Sequence, residues 1–213
     1  MAVTPAKLVD AVADVLGLPP SLVRNYDRRL MEAGLRTKKG HGRGSALMGP
    51  KDAAALLAAI GGSDEVLRAP ECVRSLYSLP YYPHRVNEEA QTEADAEYVH
   101  LSLLCDITGA DEKAVATFGK ALVAVMQYVV SSPPNERVFG KLRHNYGFGI
   151  EVSIAGGLPW AADLLIFRRK TRRIHFYRKE EIGIGALRVT RRIHSIEDVA
   201  DVIAGRTLDG GQP

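Results

Sequence analysis

The N-terminal part of the chain alternates short helical stripes of apolar residues with turns that contain glycine and proline. The first stripe follows helical spacing and consists of Leu8, Ala11, Val12, Val15 and Leu16. Thr4 is in position to cap this helix, with Pro5 in its first turn. Gly17 ends the helix, because a left-handed C-terminal residue is least costly without a Cβ atom. Leu18-Pro19-Pro20 then predicts a short, stiff turn into a second helix.

The second predicted helix, from about Pro20 to Ala33, has two different faces. Its inward face consists of Leu22, Val23, Tyr26 and Leu30. Residues three and four apart share one side of a helix, and the exposed side carries Ser21, Arg24, Asn25 and Arg28. Arginine can form two hydrogen bonds with guanine, asparagine can do so with adenine, and serine or arginine can hold phosphates. The exposed face is therefore suited to the major groove of DNA.

A basic, glycine-rich segment follows Gly34, and a third apolar helix is predicted from Pro50 to Ile60. The segment includes Lys38, Lys39, His41 and Arg43. Its composition predicts a hairpin that projects beside the second helix as a wing, with the third helix packed beneath.

These residues resemble the DNA-binding domain of MerR-like regulators over roughly the first sixty positions. The resemblance is carried by Val23-Arg24-Asn25-Tyr26-Asp27-Arg28, by Gly34-Leu35, by the wing, and by Gly49-Pro50-Lys51-Asp52 before an apolar helix. It implies a winged helix-turn-helix, with some of these side chains near the DNA backbone or base edges: Arg24, Tyr26, Arg28 and, on the wing, Arg43. Taken with the polar face, the full predicted DNA-contacting set is Ser21, Arg24, Asn25, Tyr26, Arg28, Arg29, Lys38, Lys39, His41 and Arg43.

The chain departs from the MerR-like pattern after the third helix. Such proteins usually continue into a long dimerising helix, which Pro70, Pro80 and Pro83 would interrupt here. The resemblance therefore leaves open both the mode of dimerisation and any remodelling of a promoter.

The C-terminal half predicts an α+β arrangement, with helices on one face of a small antiparallel sheet. The apolar run from Tyr98 to Ile107 fits either a strand or a buried helix. A helix is predicted from Asp111 to Pro133-Pro134, with a broad stripe of Val115, Phe118, Leu122, Val125, Met126 and Val129. Four strands are predicted around residues 150–154, 162–167, 174–176 and 187–193, followed by a closing helix from Ser195 to Gly205.

The charge is distributed unevenly over the 213 residues. The total is +3, but residues 1–62 carry +4, residues 63–145 carry −4 and residues 146–213 carry +3. A basic N-terminal part attracts polyanions, and an acidic middle is repelled by them. We therefore predict a winged helix-turn-helix DNA-binding domain at residues 1–62, a connector at 63–97, and an α+β domain at 98–208 that dimerises, binds a partner or binds an effector.

No catalytic constellation emerges from the sequence, so we predict neither an enzyme nor a cofactor. The six histidines lack zinc-ligand spacing, and Cys72 and Cys105 are predicted to be buried apolar side chains of a protein in the reducing cytoplasm. No apolar run approaches the roughly 20 residues that span a bilayer, and no secretory signal is expected.

Two C-terminal patterns leave alternatives open. Glu151 and Asp163 lie on adjacent predicted strands with Lys170 nearby, as in a nuclease-type metal site, although the acid-x-Lys spacing is missing. Alternatively, Glu151 faces water and Asp163 caps a strand. The basic run Arg168–Arg173 is either a solvated loop or a contact for DNA phosphate or an acidic partner.

The sequence therefore predicts a sequence-specific double-stranded DNA-binding protein, a transcriptional regulator that acts as a homodimer. Two alternatives use the same N-terminal part. One is a DNA-recognition or packaging component of a virus or mobile element, and the other is a protein-interaction adaptor.

Overall fold

A computed structural model describes residues 3–38, 46–82, 96–98, 100–132, 138–139, 142–143, 147–155, 158–167, 171–177, 188–194 and 196–206. The helices are α1 (Pro5–Leu16), α2 (Pro20–Glu32), α3 (Pro50–Gly62), α4 (Ala69–Tyr77), α5 (Leu101–Thr108), α6 (Glu112–Val115), α7 (Phe118–Ser131) and α8 (Ile196–Ile203), with a 3₁₀ turn at Val66–Arg68. The strands are β1 (Ala96–Tyr98), β2 (Val138–Phe139), β3 (Leu142–Arg143), β4 (Gly147–Ala155), β5 (Leu158–Phe167), β6 (Thr171–Tyr177) and β7 (Arg188–Ile193).

The predicted α+β class is confirmed, because helices cover one face of a sheet with strand order β1-β6-β5-β4-β7. Strands β4 to β7 form the predicted antiparallel core of this sheet. Its helix-covered face is apolar and includes Ile150, Val152, Leu164 and Phe176, all buried. The apolar run that fits either a strand or a buried helix is mostly α5, and β1 just before it lies parallel to β6 with Ala96 opposite Thr171.

Helix α3 is buried almost all round and lies between the N-terminal helices and the sheet. Its residues Ala53–Ala59 are at most 1% exposed. The helix is rich in alanine and ends in two glycines, so neighbouring elements can approach its backbone closely. A Cβ atom at Gly61 would lie 3.2 Å from Cδ1 of Ile193 on β7. Buried residues of α1, α2, α3, the sheet and α8 consequently form one hydrophobic cluster.

The N-terminal helix boundaries follow the sequence prediction. The Thr4 hydroxyl accepts a hydrogen bond from the Lys7 amide at 3.4 Å, and Pro5 begins α1. Gly17 ends α1 with φ of 62°, a left-handed conformation that favours glycine. Helix α2 begins at Pro20, as predicted.

Two helical regions differ from the prediction. The segment interpreted as a connector contains α4, whose buried residues are Ala69, Cys72, Val73 and Leu76. The single helix predicted from Asp111 is divided into α6 and α7. Neighbouring backbone causes the break, because the Tyr81 amide donates to the Ala116 carbonyl at 3.0 Å and the Phe118 amide donates to the Leu79 carbonyl at 2.9 Å.

The sequence predicts no membrane-spanning segment. Within the described ranges, every helix is too short or too polar to cross a membrane.

The crossing of α4 and α7 gives a stability prediction. A Cβ atom at Gly119 would clash with Cγ of Tyr77 and would lie 2.8 Å from its Cα. Helix propensity alone predicts that Gly119→Ala stabilises the protein by about 1 kcal/mol. We expect the contact with Tyr77 to prevail and to lower the free energy of unfolding by about 1–3 kcal/mol in urea denaturation.

The neighbouring variant Lys120→Ala is the matched control, since it places alanine at an exposed position of the same helix. It should change stability by less than about 0.5 kcal/mol. A Gly119→Ala protein more stable than wild type would contradict the close crossing.

Candidate nucleic-acid interface

The polar edge of α2 is exposed, as the sequence predicted. Its members Ser21, Arg24, Asn25 and Arg28 all lie on the solvent side. We call these four residues the α2 edge. The opposite side of the helix is fixed in the core by Val23 and Leu30, both fully buried. The edge is therefore presented by a helix whose position the hydrophobic cluster determines.

A three-residue turn sets the position of α2 relative to α1. After Gly17, the Leu18 amide donates to the Ala13 carbonyl at 2.9 Å. Pro19 precedes the first residue of α2 and restricts the chain further. Few backbone conformations remain available to the turn, so α1 and α2 have a defined relative orientation.

Two arginines of α2 share one carboxylate. Arg28 Nε lies 2.9 Å from Glu32 Oε1, and Arg29 Nη1 lies 2.9 Å from Glu32 Oε2. The hydrogen bond from Arg28 is the main cause that holds the pKa of Glu32 below its usual value. Exposed ion pairs of this kind are weak, so either guanidinium can leave Glu32 for a stronger acceptor at little cost.

Behind the edge, α2 is joined to the next segment by a buried ion pair. Asp27 is 7% exposed and Arg36 is 8% exposed. Arg36 Nε donates to Asp27 Oδ1 at 2.6 Å, and Nη2 donates to Oδ2 at 2.7 Å. Such a bidentate pair fixes both distance and orientation. It therefore holds the chain that leaves α2 against the helix itself.

Asp52 in the first turn of α3 holds both sides of the segment that the sequence interprets as a wing. Its carboxylate accepts from the Thr37 amide at 2.7 Å and the Thr37 hydroxyl at 3.2 Å. It also accepts from the Gly49 amide at 2.9 Å. Residues 37 and 49 therefore both lie at the start of α3. Met48 is held further by mutual backbone hydrogen bonds with Val3, at 3.0 and 2.7 Å.

Apart from Tyr26, the remaining predicted contact residues fall into two groups. Lys38 is exposed next to Thr37, and Arg29 is exposed beside the α2 edge. Lys39, His41 and Arg43 lie outside the described residues.

Tyr26 requires a correction. It is 4% exposed, and its hydroxyl donates to the Ser63 carbonyl at 2.8 Å. Burial raises the pKa of Tyr26, and Arg191 opposes this shift. The resemblance implied a contact with DNA, but the side chain is committed to the core because it points along the inward face that the apolar pattern had assigned to it.

The acidic pair on the sheet also differs from both interpretations of the sequence. Glu151 and Asp163 lie opposite each other on β4 and β5, and both are buried. Arg173 Nη1 lies 2.6 Å from Glu151 and 3.3 Å from Asp163, and Arg192 Nε donates to Glu151 at 2.7 Å. Glu151 does not face water, and Asp163 lies within a strand rather than at its end.

These arginines neutralise the acids that a metal site would need. Burial raises the pKa of Glu151, but hydrogen bonds from Arg192 and Arg173 outweigh it and hold the pKa below its usual value. Among the residues that the structure describes, no group of three or more histidine, cysteine or acidic side chains is placed to hold a metal ion.

Comparison with known proteins adds no relative, since no family model, curated protein or solved structure matches this chain.

The sequence reasoning missed the residues that position the α2 edge. Asp27 follows Val23 by four residues and precedes Leu30 by three, so it lies on the inward face of the helix. An acid on a buried face requires a cation or hydrogen-bond donors, and this signal was present in the sequence. The identity of its partner, Arg36, depends on the path of the chain after α2.

The buried pair gives a second stability prediction. Asp27→Ala leaves the Arg36 guanidinium buried without its acid, so we expect the free energy of unfolding to fall by about 3–5 kcal/mol. The double variant Asp27→Leu with Arg36→Met should recover most of this loss, because apolar residues of similar size avoid the unpaired charge.

Asp10→Ala, at an exposed position on α1, is the control and should stay within about 0.5 kcal/mol of wild type in urea denaturation. If Asp27→Ala unfolds no more readily than Asp10→Ala, the pair does not hold α2 in place.

Proposed function

We propose that this protein binds double-stranded DNA in a sequence-specific manner and acts as a transcriptional regulator, with α2 as the recognition helix of a winged helix-turn-helix. The observation that carries the proposal is the exposure of the whole α2 edge on a helix whose other side is buried. In this proposal, Arg24 and Asn25 contact base edges, while Ser21 and Arg28 contact phosphates or bases.

The contacts behind the edge support this proposal. Base readout requires a helix that keeps its position when it enters a groove, and both the core and the Asp27–Arg36 pair restrict α2. Asp52 holds residues 37 and 49 together at the start of α3, and the Asp27–Arg36 pair holds the neighbouring residue 36 against α2. Any projection formed between them would lie beside the recognition helix, where a wing could contact phosphate through Lys38, Lys39 and Arg43.

The charge pattern supports the same partner. The N-terminal 62 residues carry a net charge of +4, whereas the following segment is acidic. A basic surface raises the local concentration of a polyanion and increases the rate of association. We propose that the protein acts as a homodimer, so that two α2 helices read an inverted repeat with half-sites about 34–36 Å apart.

The first functional prediction concerns Arg24. Binding sites are selected from a random duplex pool, and affinity is measured by fluorescence anisotropy on the selected and scrambled duplexes. Arg24→Ala should weaken binding to the selected duplex by about 1–3 kcal/mol and binding to the scrambled duplex by less, because a base contact contributes to discrimination.

Lys113→Ala is the matched control, since it removes an exposed positive charge from α6. It should bind both duplexes like wild type. Equal losses in Arg24→Ala and Lys113→Ala would contradict a contact made by α2.

The second functional prediction concerns Lys38 as a phosphate contact. Lys38→Ala should weaken binding to selected and scrambled duplexes alike, and should reduce the slope of log affinity against log salt concentration by about one unit. A wild-type affinity that does not change between about 50 and 200 mM salt would contradict the electrostatic part of the proposal.

The third functional prediction concerns Glu32. Glu32→Gln removes a negative charge beside the α2 edge and releases Arg28 and Arg29. We expect tighter binding to both duplexes and a steeper salt dependence. Weaker binding in this variant would show that the ion pairs organise the arginines for DNA rather than compete with it.

Mass measurement and duplex retention separate the other functions. A dimer on DNA supports the regulator, whereas a higher ring favours a packaging component. Failure to retain any selected duplex would refute DNA binding and favour a protein-interaction adaptor.

A further inference from the structure

The part of the chain that the structure describes contains a cleft of about 320 Å³ beside the α1–α2 turn. Three elements form it: Leu16 and Leu18 at the turn, Ile60 and Gly61 at the end of α3, and Arg191–Ile193 of β7. The lining therefore consists of four aliphatic side chains, one glycine and two arginines of β7. Small-molecule sites combine mainly apolar walls with a few polar groups, and their volumes begin at about 300 Å³.

Arg191 occupies an unusual position for a charged residue. It lies opposite Val152 in the β4–β7 pairing, and it therefore projects from the same, helix-covered side of the sheet as Ile193. Its side chain is only 19% exposed. It forms an ion pair with Asp64, whose side chain is 81% exposed.

This pairing is one that a ligand can replace. Water surrounds Asp64 and screens its charge, so the pair gains little from the carboxylate. Arg191, by contrast, has lost most of its hydration and has five N–H donors to satisfy. A carboxylate that enters the cleft would bind the guanidinium in a less solvated environment and form stronger, charge-assisted hydrogen bonds.

Arg192 is oriented differently from Arg191. Its side chain is bound to Glu151 on the neighbouring strand and is 46% exposed. Because successive residues of a strand point to opposite faces, its guanidinium lies with Glu151 on the other face of the sheet from Arg191, and we assign it no part in binding the anion.

We propose that this cleft binds a small organic anion with an apolar body, such as a medium-chain carboxylate, and that the bound anion controls the α2 edge. The carboxylate binds Arg191, and the hydrocarbon body packs on Leu16, Leu18 and Ile60. The binding site stands by itself, whereas the control of α2 rests on the proposed DNA-binding function.

Two contacts connect the cleft to α2. Leu18 lies in the turn directly before the helix, so a ligand that packs on it also contacts the entry to α2. Asp64 follows Ser63, whose carbonyl accepts the Tyr26 hydroxyl of α2. If the ligand replaces Asp64 as the partner of Arg191, the turn at residues 63–65 loses its ion pair with β7. The Ser63 carbonyl is then held less firmly, and it restrains the Tyr26 hydroxyl less. We therefore expect ligand binding to lower the affinity of the protein for DNA.

The first experiment tests the binding site without DNA. Octanoate is titrated into the full chain by calorimetry, beside 1-octanol, which lacks the charge, and acetate, which lacks the apolar body. Octanoate should bind more tightly than either. Arg191→Gln should reduce octanoate affinity on the order of tenfold, and Arg191→Lys should restore part of it because it retains a positive charge.

The control variant for this titration is Lys113→Ala, which removes an exposed positive charge from α6 and should bind octanoate like wild type. Equal affinities for octanoate and 1-octanol, or an Arg191→Gln protein that folds and binds octanoate unchanged, would overturn the anion site.

The second experiment tests the control of α2 with the selected duplex. Saturating octanoate should lower DNA affinity about fivefold or more in wild type, and should have no effect in Arg191→Gln. An unchanged DNA affinity with octanoate bound would refute the regulation alone. If the duplex is not bound at all, the proposed function fails while the calorimetric result still decides the anion site.

Discussion

The burial of α3 is the constraint on which the other packing depends. Its alanine positions let the N-terminal helices, α4, α7 and the sheet approach one helix from several directions. At its last turn, Gly61 brings the helix against Ile150 and Ile193 of two strands. A larger side chain at these positions would separate elements that come from opposite ends of the sequence. The hydrophobic cluster is therefore continuous because its central helix presents so little side-chain volume.

Polar contacts at the start of α3 and on α2 hold the residues on either side of the predicted wing. Asp52 caps α3 and also binds Thr37 and Gly49, while Asp27 of α2 binds Arg36. Each of these two buried carboxylates therefore connects its helix to a segment outside that helix. Burial of a charge is costly unless the charge is paired, so each contact favours one arrangement of the chain over looser alternatives. The α2 edge owes its defined position to these contacts and to the apolar residues beneath it.

Much of the fold could be predicted from the sequence, because local signals determine it. Thr4, Gly17 and Pro20 set the ends of helices through contacts within one helical turn. The alternation around Ile150 and Val152 indicates a strand with one apolar face. The break at Thr117 could not be predicted, since it depends on backbone of residues 79–81 that only the folded chain brings near. The pairing of β1 with β6 is equally non-local.

The candidate site likewise combines features that local sequence determines with features that depend on contacts between distant segments. Helical spacing predicted the exposure of Ser21, Arg24, Asn25 and Arg28. It placed Tyr26 inward too, and the family resemblance was the less reliable guide for that residue. The cleft at Arg191 could not be predicted, because it joins the first interhelical turn to the last strand of the sheet.

The contact between Gly61 and Ile193 has a consequence for synthesis of the protein in the cell. The ribosome produces α3 more than a hundred residues before it produces Ile193. At ordinary translation rates the interval is on the order of ten seconds. During this time an alanine- and leucine-rich surface is exposed on the nascent chain without its later neighbours. Chaperone engagement would protect the growing polypeptide until the carboxy-terminal strands are made and cover it, whereas slow translation after α4 would prolong the exposure.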